Sequence, residues 1–133
     1  MKTRIIILLF LGFLCNETFS QNKEDLKTFD PAFAHTVYFW FKNPDDADGR
    51  TKFEASLKKF LRDSKFAKTN FIGVPPKSTR EVVDDSFTYS LIVTFDSAES
   101  QEGYQKEDAH LLFIEECKDL WDKVVVYDSY GLK

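Results

Sequence analysis

Two histidines and a tyrosine are the side chains of this chain best suited to move a proton. Tyr104 and His110 lie six residues apart in the stretch Tyr-Gln-Lys-Glu-Asp-Ala-His, and His35, the other histidine, opens an aromatic-rich run. Imidazole titrates close to neutral pH, an unperturbed phenol near about 10. A neutral imidazole can take a proton from a carbon next to a carbonyl, and a tyrosine hydroxyl can donate to the enolate oxygen that develops. His35 would orient the substrate or the other base. This chemistry calls for no metal and no redox cofactor.

The spacing sets a condition. Six residues of continuous helix turn through about 600°, which leaves Tyr104 and His110 on different faces. A break near Glu107 and Asp108 would let them converge. Each residue also has a plain structural reading. A histidine at a strand start is ordinarily a hydrogen-bonded core or rim residue. Tyr104 reads equally as a helix aromatic with its hydroxyl at the rim, and His110 as a residue near a helix start. Two histidines with Glu107 or Asp108 suggest zinc, but the spacing fits no helical ligand pair such as i, i+4, so no metal is expected.

The elements that must position these residues follow a signal-like leader. Lys2 and Arg4 make a basic start, residues 5–14 are an apolar run, and Thr18 and Ser20 precede a candidate cut before Gln21. This pattern predicts a secretory signal peptide over residues 1–20 and a secreted or periplasmic product. The run is shorter than the about 20 apolar residues of a membrane span. Cys15 raises a lipoprotein alternative, which Leu14 before it disfavours because a small residue belongs there. Residues 21–33 read as a polar N-terminal arm and residues 34–133 as one domain. Cys117 is then the single cysteine, so no internal disulfide is expected, and its apolar helical setting predicts a packed thiol. The net charge of −4 for 133 residues, without a basic stripe, argues against nucleic acid and anionic membranes as partners.

Within the domain, residues 34–42 predict a first strand with His35, Val37, Phe39 and Phe41 on one face and Thr36, Tyr38 and Trp40 on the other. Both faces are largely apolar, so both need cover. A helix capped by Asp45 or Asp46 buries Phe53, Leu57, Phe60 and Leu61. A short strand over residues 69–74 stops at Pro75 and Pro76, and a charged loop follows over residues 77–85. Residues 87–95 predict a strand with Phe87, Tyr89, Leu91, Val93 and Phe95 on one face. Ser97 caps a short helix through Gln105, and Asp108 caps another that runs to Leu120 and Trp121. Residues 123–130 close the chain as a strand, with Val124, Val125 and Val126 buried on both sides. The order β-α-β-β-α-β is that of a ferredoxin-like α+β fold, an antiparallel sheet with helices on one face. Tyr38, Trp40, Ile92 and Tyr127 are left for the other face, where a second subunit would hide them.

On four features the chain resembles the stress-responsive A/B barrel (Dabb) family. His35 opens the first strand in Ala-His-Thr-Val-Tyr-Phe-Trp-Phe-Lys; Phe95, Asp96 and Ser97 lead into the helical segment; Tyr104 and His110 are separated by five residues; Val124, Val125, Val126, Tyr127 and Asp128 close the chain. The likeness covers about residues 34–130. It implies a protomer that pairs sheet to sheet into a dimeric α/β barrel, with a small pocket between sheet and helices. Most members have no known activity, but a plant branch is similar to polyketide cyclases, whose pocket residues match His35, Tyr104 and His110. Where the family often has His-Pro-Ala before the final histidine, this chain has Glu107, Asp108 and Ala109. The helix break then depends on Asp108 as cap, and a carboxylate replaces one pocket-edge group. Two functions from different classes follow. One is a secreted homodimeric module that binds a small apolar or aromatic ligand or a partner. The other is a cofactor-independent lyase, cyclase or monooxygenase-like enzyme. An enclosed cavity with the three residues pointing into it favours the enzyme, and a packed interior favours the module.

Overall fold

The first strand, β1 (Phe33–Phe41), organises the molecule, because its side chains alternate between two environments. Phe33, His35, Val37, Phe39 and Phe41 are buried, while Ala34, Thr36, Tyr38 and Trp40 are partly open. The computed structural model describes residues 32–132. The leader, Cys15 and the arm up to residue 31 lie outside the described residues. Phe33, assigned to the arm from sequence, already belongs to β1.

After β1 come α1 (Ala47–Asp63), β2 (Thr69–Gly73), β3 (Tyr89–Phe95), α2 (Ala98–Lys106), α3 (Asp108–Cys117) and β4 (Trp121–Tyr130). The antiparallel sheet has the order β2-β3-β1-β4. This is the ferredoxin-like α+β fold, with its second helical element divided in two. The Asp46 side chain caps α1 by accepting from the Asp48 N–H at 3.1 Å. The helix buries Phe53, Leu57, Phe60 and Leu61 against the sheet. Phe53 has no exposed surface and meets Phe39, Phe41, Tyr89 and Phe113 at ring separations of 4.8–5.7 Å. Cys117 is a buried free thiol.

Four details differ from the sequence expectation. Phe87 does not share a face with Tyr89. It precedes β3, and its ring lies 4.9 Å from Tyr38 on the sheet's other side. The alternation breaks at Thr88, whose hydroxyl accepts from the Phe41 N–H at 3.0 Å. The third helix ends at Cys117 rather than at Trp121. Residues 118–120 turn the chain so that Trp121 pairs with Phe41 and packs 5.4 Å from Phe39. Val124 and Val126 are not buried on both sides: they are 37% and 47% exposed. Their strand lies at the sheet edge, where one flank has no neighbouring strand and the helices reach only partway across. Finally, the N-cap position of α3 is Glu107, without a side-chain cap bond, and Asp108 is the first helical residue.

The sheet face away from the helices carries Tyr38, Trp40, Ile92 and Tyr127, as expected. Part of its cover comes from the same chain. The Trp40 indole N–H donates to the Ser86 hydroxyl at 2.9 Å, and Lys123 lies 4.2 Å over the Trp40 ring. A shallow cavity of 630 Å³ remains there, bounded by Tyr38, Trp40, Phe71, Phe87 and Tyr127.

Candidate functional site

On the helical side, β1 contributes His35, α2 contributes Tyr104 and α3 contributes His110 to one cavity of 290 Å³. The ring centres of His35 and Tyr104 are 5.8 Å apart and those of Tyr104 and His110 are 5.3 Å apart. The break between α2 and α3 makes this possible. Glu107 has extended backbone (φ −71°, ψ 148°), which resets the helix direction and cancels the angular offset of an unbroken helix. Its carbonyl accepts from the His110 and Leu111 N–H groups at 3.0 and 3.1 Å and starts α3. The Glu107 side chain does not line the cavity. One of its oxygens accepts from the Lys65 N–H at 3.1 Å, and the other is buried without a partner. The pocket-edge role expected for this carboxylate is therefore not what the structure shows.

Two close approaches hold α2 in place. Gly103 sits where a Cβ would come within 2.6 Å of the Phe66 ring, so that ring needs a glycine beneath it. Tyr104 packs 4.8 Å from Phe60 and 4.9 Å from Phe95. Tyr104 is 1% exposed, and its hydroxyl has no hydrogen-bond partner among the described residues. Glu107 Oε1 is the one side-chain polar atom among the described residues that is fully buried and unpartnered. The Tyr104 hydroxyl is therefore reachable from the cavity. Burial pushes its pKa far up, and the Glu107 carboxylate adds to the effect. The phenol stays protonated and acts as a donor.

The imidazoles are oriented by different partners. His35 Nδ1 lies 2.6 Å from Asp128 Oδ1, across the register pair that β1 and β4 form at these positions. A carboxylate accepts, so Nδ1 carries hydrogen and Nε2 is the free nitrogen. His110 Nδ1 donates to the Gln105 carbonyl at 3.1 Å, which leaves Nε2 with the lone pair. Burial holds the His110 pKa below its ordinary 6.5, His35 nearby adds to this, and the Gln105 carbonyl and Glu107 carboxylate oppose it. At neutral pH His110 is an uncharged base. Asp128 was missed as an orienting residue from sequence. The available signal was its place opposite His35 if the last strand pairs with the first.

The far end of the cavity is apolar, with Phe39, Leu91, Phe113, Trp121, Val124 and Val126 around it. The site is thus polar at one end and greasy at the other. Among the described residues, no group of three or more His, Cys, Asp and Glu side chains is placed to hold a metal ion.

This geometry has known relatives. The family model of the stress responsive A/B barrel domain matches residues 33–130. The chain belongs to that family. No curated protein sequence matches this member of the Dabb family. Among solved structures it is similar to a Dabb family protein of ferredoxin-like fold from Mesorhizobium loti, at 17% identity and a TM-score of 0.63, covering 76% of this chain and 97% of the other. It is similar to the hydroxynitrile lyase from Passiflora edulis at 19% identity and a TM-score of 0.67, covering 77% and 96%. A dimeric ferredoxin-like protein from Thermobifida fusca aligns at 13% identity and a TM-score of 0.60, covering 74% and 89%. At these identities the likeness establishes the shared fold.

Proposed function

We propose that this Dabb domain is a small-ligand-binding module whose ligand sits between the sheet and the helices, with its polar end at His35, Tyr104 and His110. The observation that carries the reading is the cavity itself. A domain whose helical face served only as core would fill that volume with side chains. Here 290 Å³ is open, with an unpartnered hydroxyl and two imidazoles along it. The test is a ligand screen followed by His110→Ala and Tyr104→Phe. Both variants should keep the fold and weaken the best ligand about tenfold or more. Unchanged affinity in both would rule the reading out.

A second reading is acid/base catalysis of the lyase or cyclase kind, and the fixed tautomers favour it. His110 Nε2 takes a proton from the carbon beside a carbonyl. The electron pair moves onto the carbonyl oxygen, which Tyr104 stabilises by donation, and the imidazolium later returns the proton to carbon or to a leaving group. His35, oriented by Asp128, positions the substrate. The hydroxynitrile lyase from Passiflora edulis shares this fold. Deuterium exchange into a bound ketone, lost in His110→Ala, would support catalysis; exchange at the solvent rate would remove it.

The module works outside the cytoplasm and as a homodimer. Export is supported by the basic start and apolar run of residues 1–20. Mass spectrometry of the secreted protein should find an N-terminus at or near Gln21, and a lipid on Cys15 would overturn this. Pairing through the sheet face is supported by Tyr38, Ile92 and Tyr127 on that face and by the dimeric relative. Light scattering should give twice the mass of one chain, and a monomer at micromolar concentration would contradict it.

A further inference from the structure

One carboxylate of this molecule sits where its hydrogen bonds do not explain it. Glu107 lies in the break between α2 and α3. One of its side-chain oxygens accepts from the Lys65 N–H at 3.1 Å, and the other is buried without a partner among the described residues. A buried polar atom that leaves water and makes no bond is destabilising, more so when it belongs to a charged group. The bond itself needs no charge. It ties the turn after α1 to the corner between α2 and α3, and the Phe66 ring of that turn closes on Gly103. A glutamine oxygen would accept from the same N–H. What glutamate adds at this place is its negative charge.

That charge stands midway in the chain between Tyr104 and His110, and it raises the pKa of both. The other groups around His110 do not supply the same effect. Phe60 of α1 and the Tyr104 phenol of α2 are uncharged, and His35 of β1 pushes the opposite way. Asp128 of β4 is bonded to His35, Asp108 at the start of α3 is exposed, and Gln105 offers His110 only a neutral carbonyl. We propose that Glu107 is a positioning residue of the cavity's polar end: a fixed negative charge behind Tyr104 and His110 that keeps the phenol's proton in place and draws the next proton to His110 Nε2. The proposal rests on the reading of that end as the part of the site that meets a ligand. Burial alone would make His110 a poor proton acceptor, and the charge at Glu107 offsets this by stabilising the imidazolium once it forms. The carboxylate does so without entering the cavity, because its side chain is turned to Lys65.

The test is a pH titration of both histidines in the ligand-free full chain, read from their imidazole NMR signals in the wild type, Glu107→Gln and Glu107→Asp. Glu107→Gln keeps the bond to Lys65 and removes the charge, so the His110 midpoint should fall by about 0.5 pH unit or more. His35, held by Asp128, should move less. Glu107→Asp returns the charge and should recover most of the fall. In the wild type, the His110 midpoint should hold within about 0.2 unit between about 0.05 and 0.5 M salt, because a buried charge is weakly screened. That measurement decides the matter even if Glu107→Gln does not fold. An unchanged midpoint in folded Glu107→Gln, or an equal fall in Glu107→Asp, would overturn the proposal. So would a larger fall with salt in the wild type, which would assign the effect to exposed carboxylates. No ligand enters the experiment. A failed ligand screen therefore removes the binding role and leaves this result standing, while an unmoved His110 removes the role of Glu107 and leaves the cavity as a ligand site.

Discussion

On one face of β1, His35 is tied to Asp128 and shares a cavity with Tyr104 and His110. On the other face, Tyr38 and Trp40 meet Phe87 and Ser86 from the chain's own loop. The strand is the same, and its residues alternate regularly. What differs is how each face is covered. Helix α1 and the two helical segments that diverge at Glu107 roof the first face and leave a gap between α3 and the edge strand. A loop covers part of the second and leaves an aromatic surface. The difference teaches that apolar alternation specifies burial demand, while the covering element decides whether the result is core, pocket or interface.

The largest effect expected is on the helical face, where core and cavity share walls. Phe53→Ala removes a fully buried ring that packs against five other aromatic rings, and should destabilise the domain by about 3–5 kcal/mol in urea titration. A loss below about 1 kcal/mol would mean that the face is looser than the packing indicates. On the opposite face, the proposed pairing through the sheet predicts that Trp40→Glu gives a monomer in light scattering while the cavity ligand still binds; a variant that stays dimeric would place the interface elsewhere. Within the cavity, Asp128→Ala frees His35 Nδ1 and should lower ligand affinity about tenfold without loss of fold by circular dichroism.

A smaller effect is pH dependence. His110 has a folded-state pKa below its ordinary 6.5. As pH falls below that value the unfolded chain takes up the proton first, so stability declines with acid through the window beneath pH 6.5. The lowered carboxylates Glu54 and Asp63 lose their contribution only further down, below their ordinary values of 4.5 and 3.8. Urea midpoints at several pH values should therefore show a slope between pH 5 and about 6.5 that His110→Gln flattens. An identical slope in the variant would show that His110 is not the group responsible. The smallest stability change is expected for Tyr104→Phe, because its hydroxyl has no hydrogen bond among the described residues to lose.

Much of this arrangement was legible in the chain. The alternation of residues 34–41, the stripe of Phe53, Leu57, Phe60 and Leu61, and the caps at Asp45 or Asp46 and at Ser97 are local patterns. Local patterns state which side chains share a face and where a helix starts. The need for a break between Tyr104 and His110 followed from helix geometry alone. The cap assignment was harder, because Glu107 and Asp108 are neighbouring acids and the start is made by the Glu107 backbone carbonyl, not by a side chain.

Tertiary structure decided what depends on distant neighbours. The His35–Asp128 contact joins residues 93 apart in sequence and exists only because β4 lies beside β1 in that register. The same placement leaves β4 at the sheet edge, so three consecutive valines that read as doubly buried end up with Val124 and Val126 exposed at the cavity mouth. Phe87 changed sides because Thr88 bonds to β1, and Trp121 left the helix because its ring packs on Phe39. Periodicity is set by residues three or four apart. Edge position, register and cover are set by which segments meet across the whole chain, and only the folded arrangement contains that information.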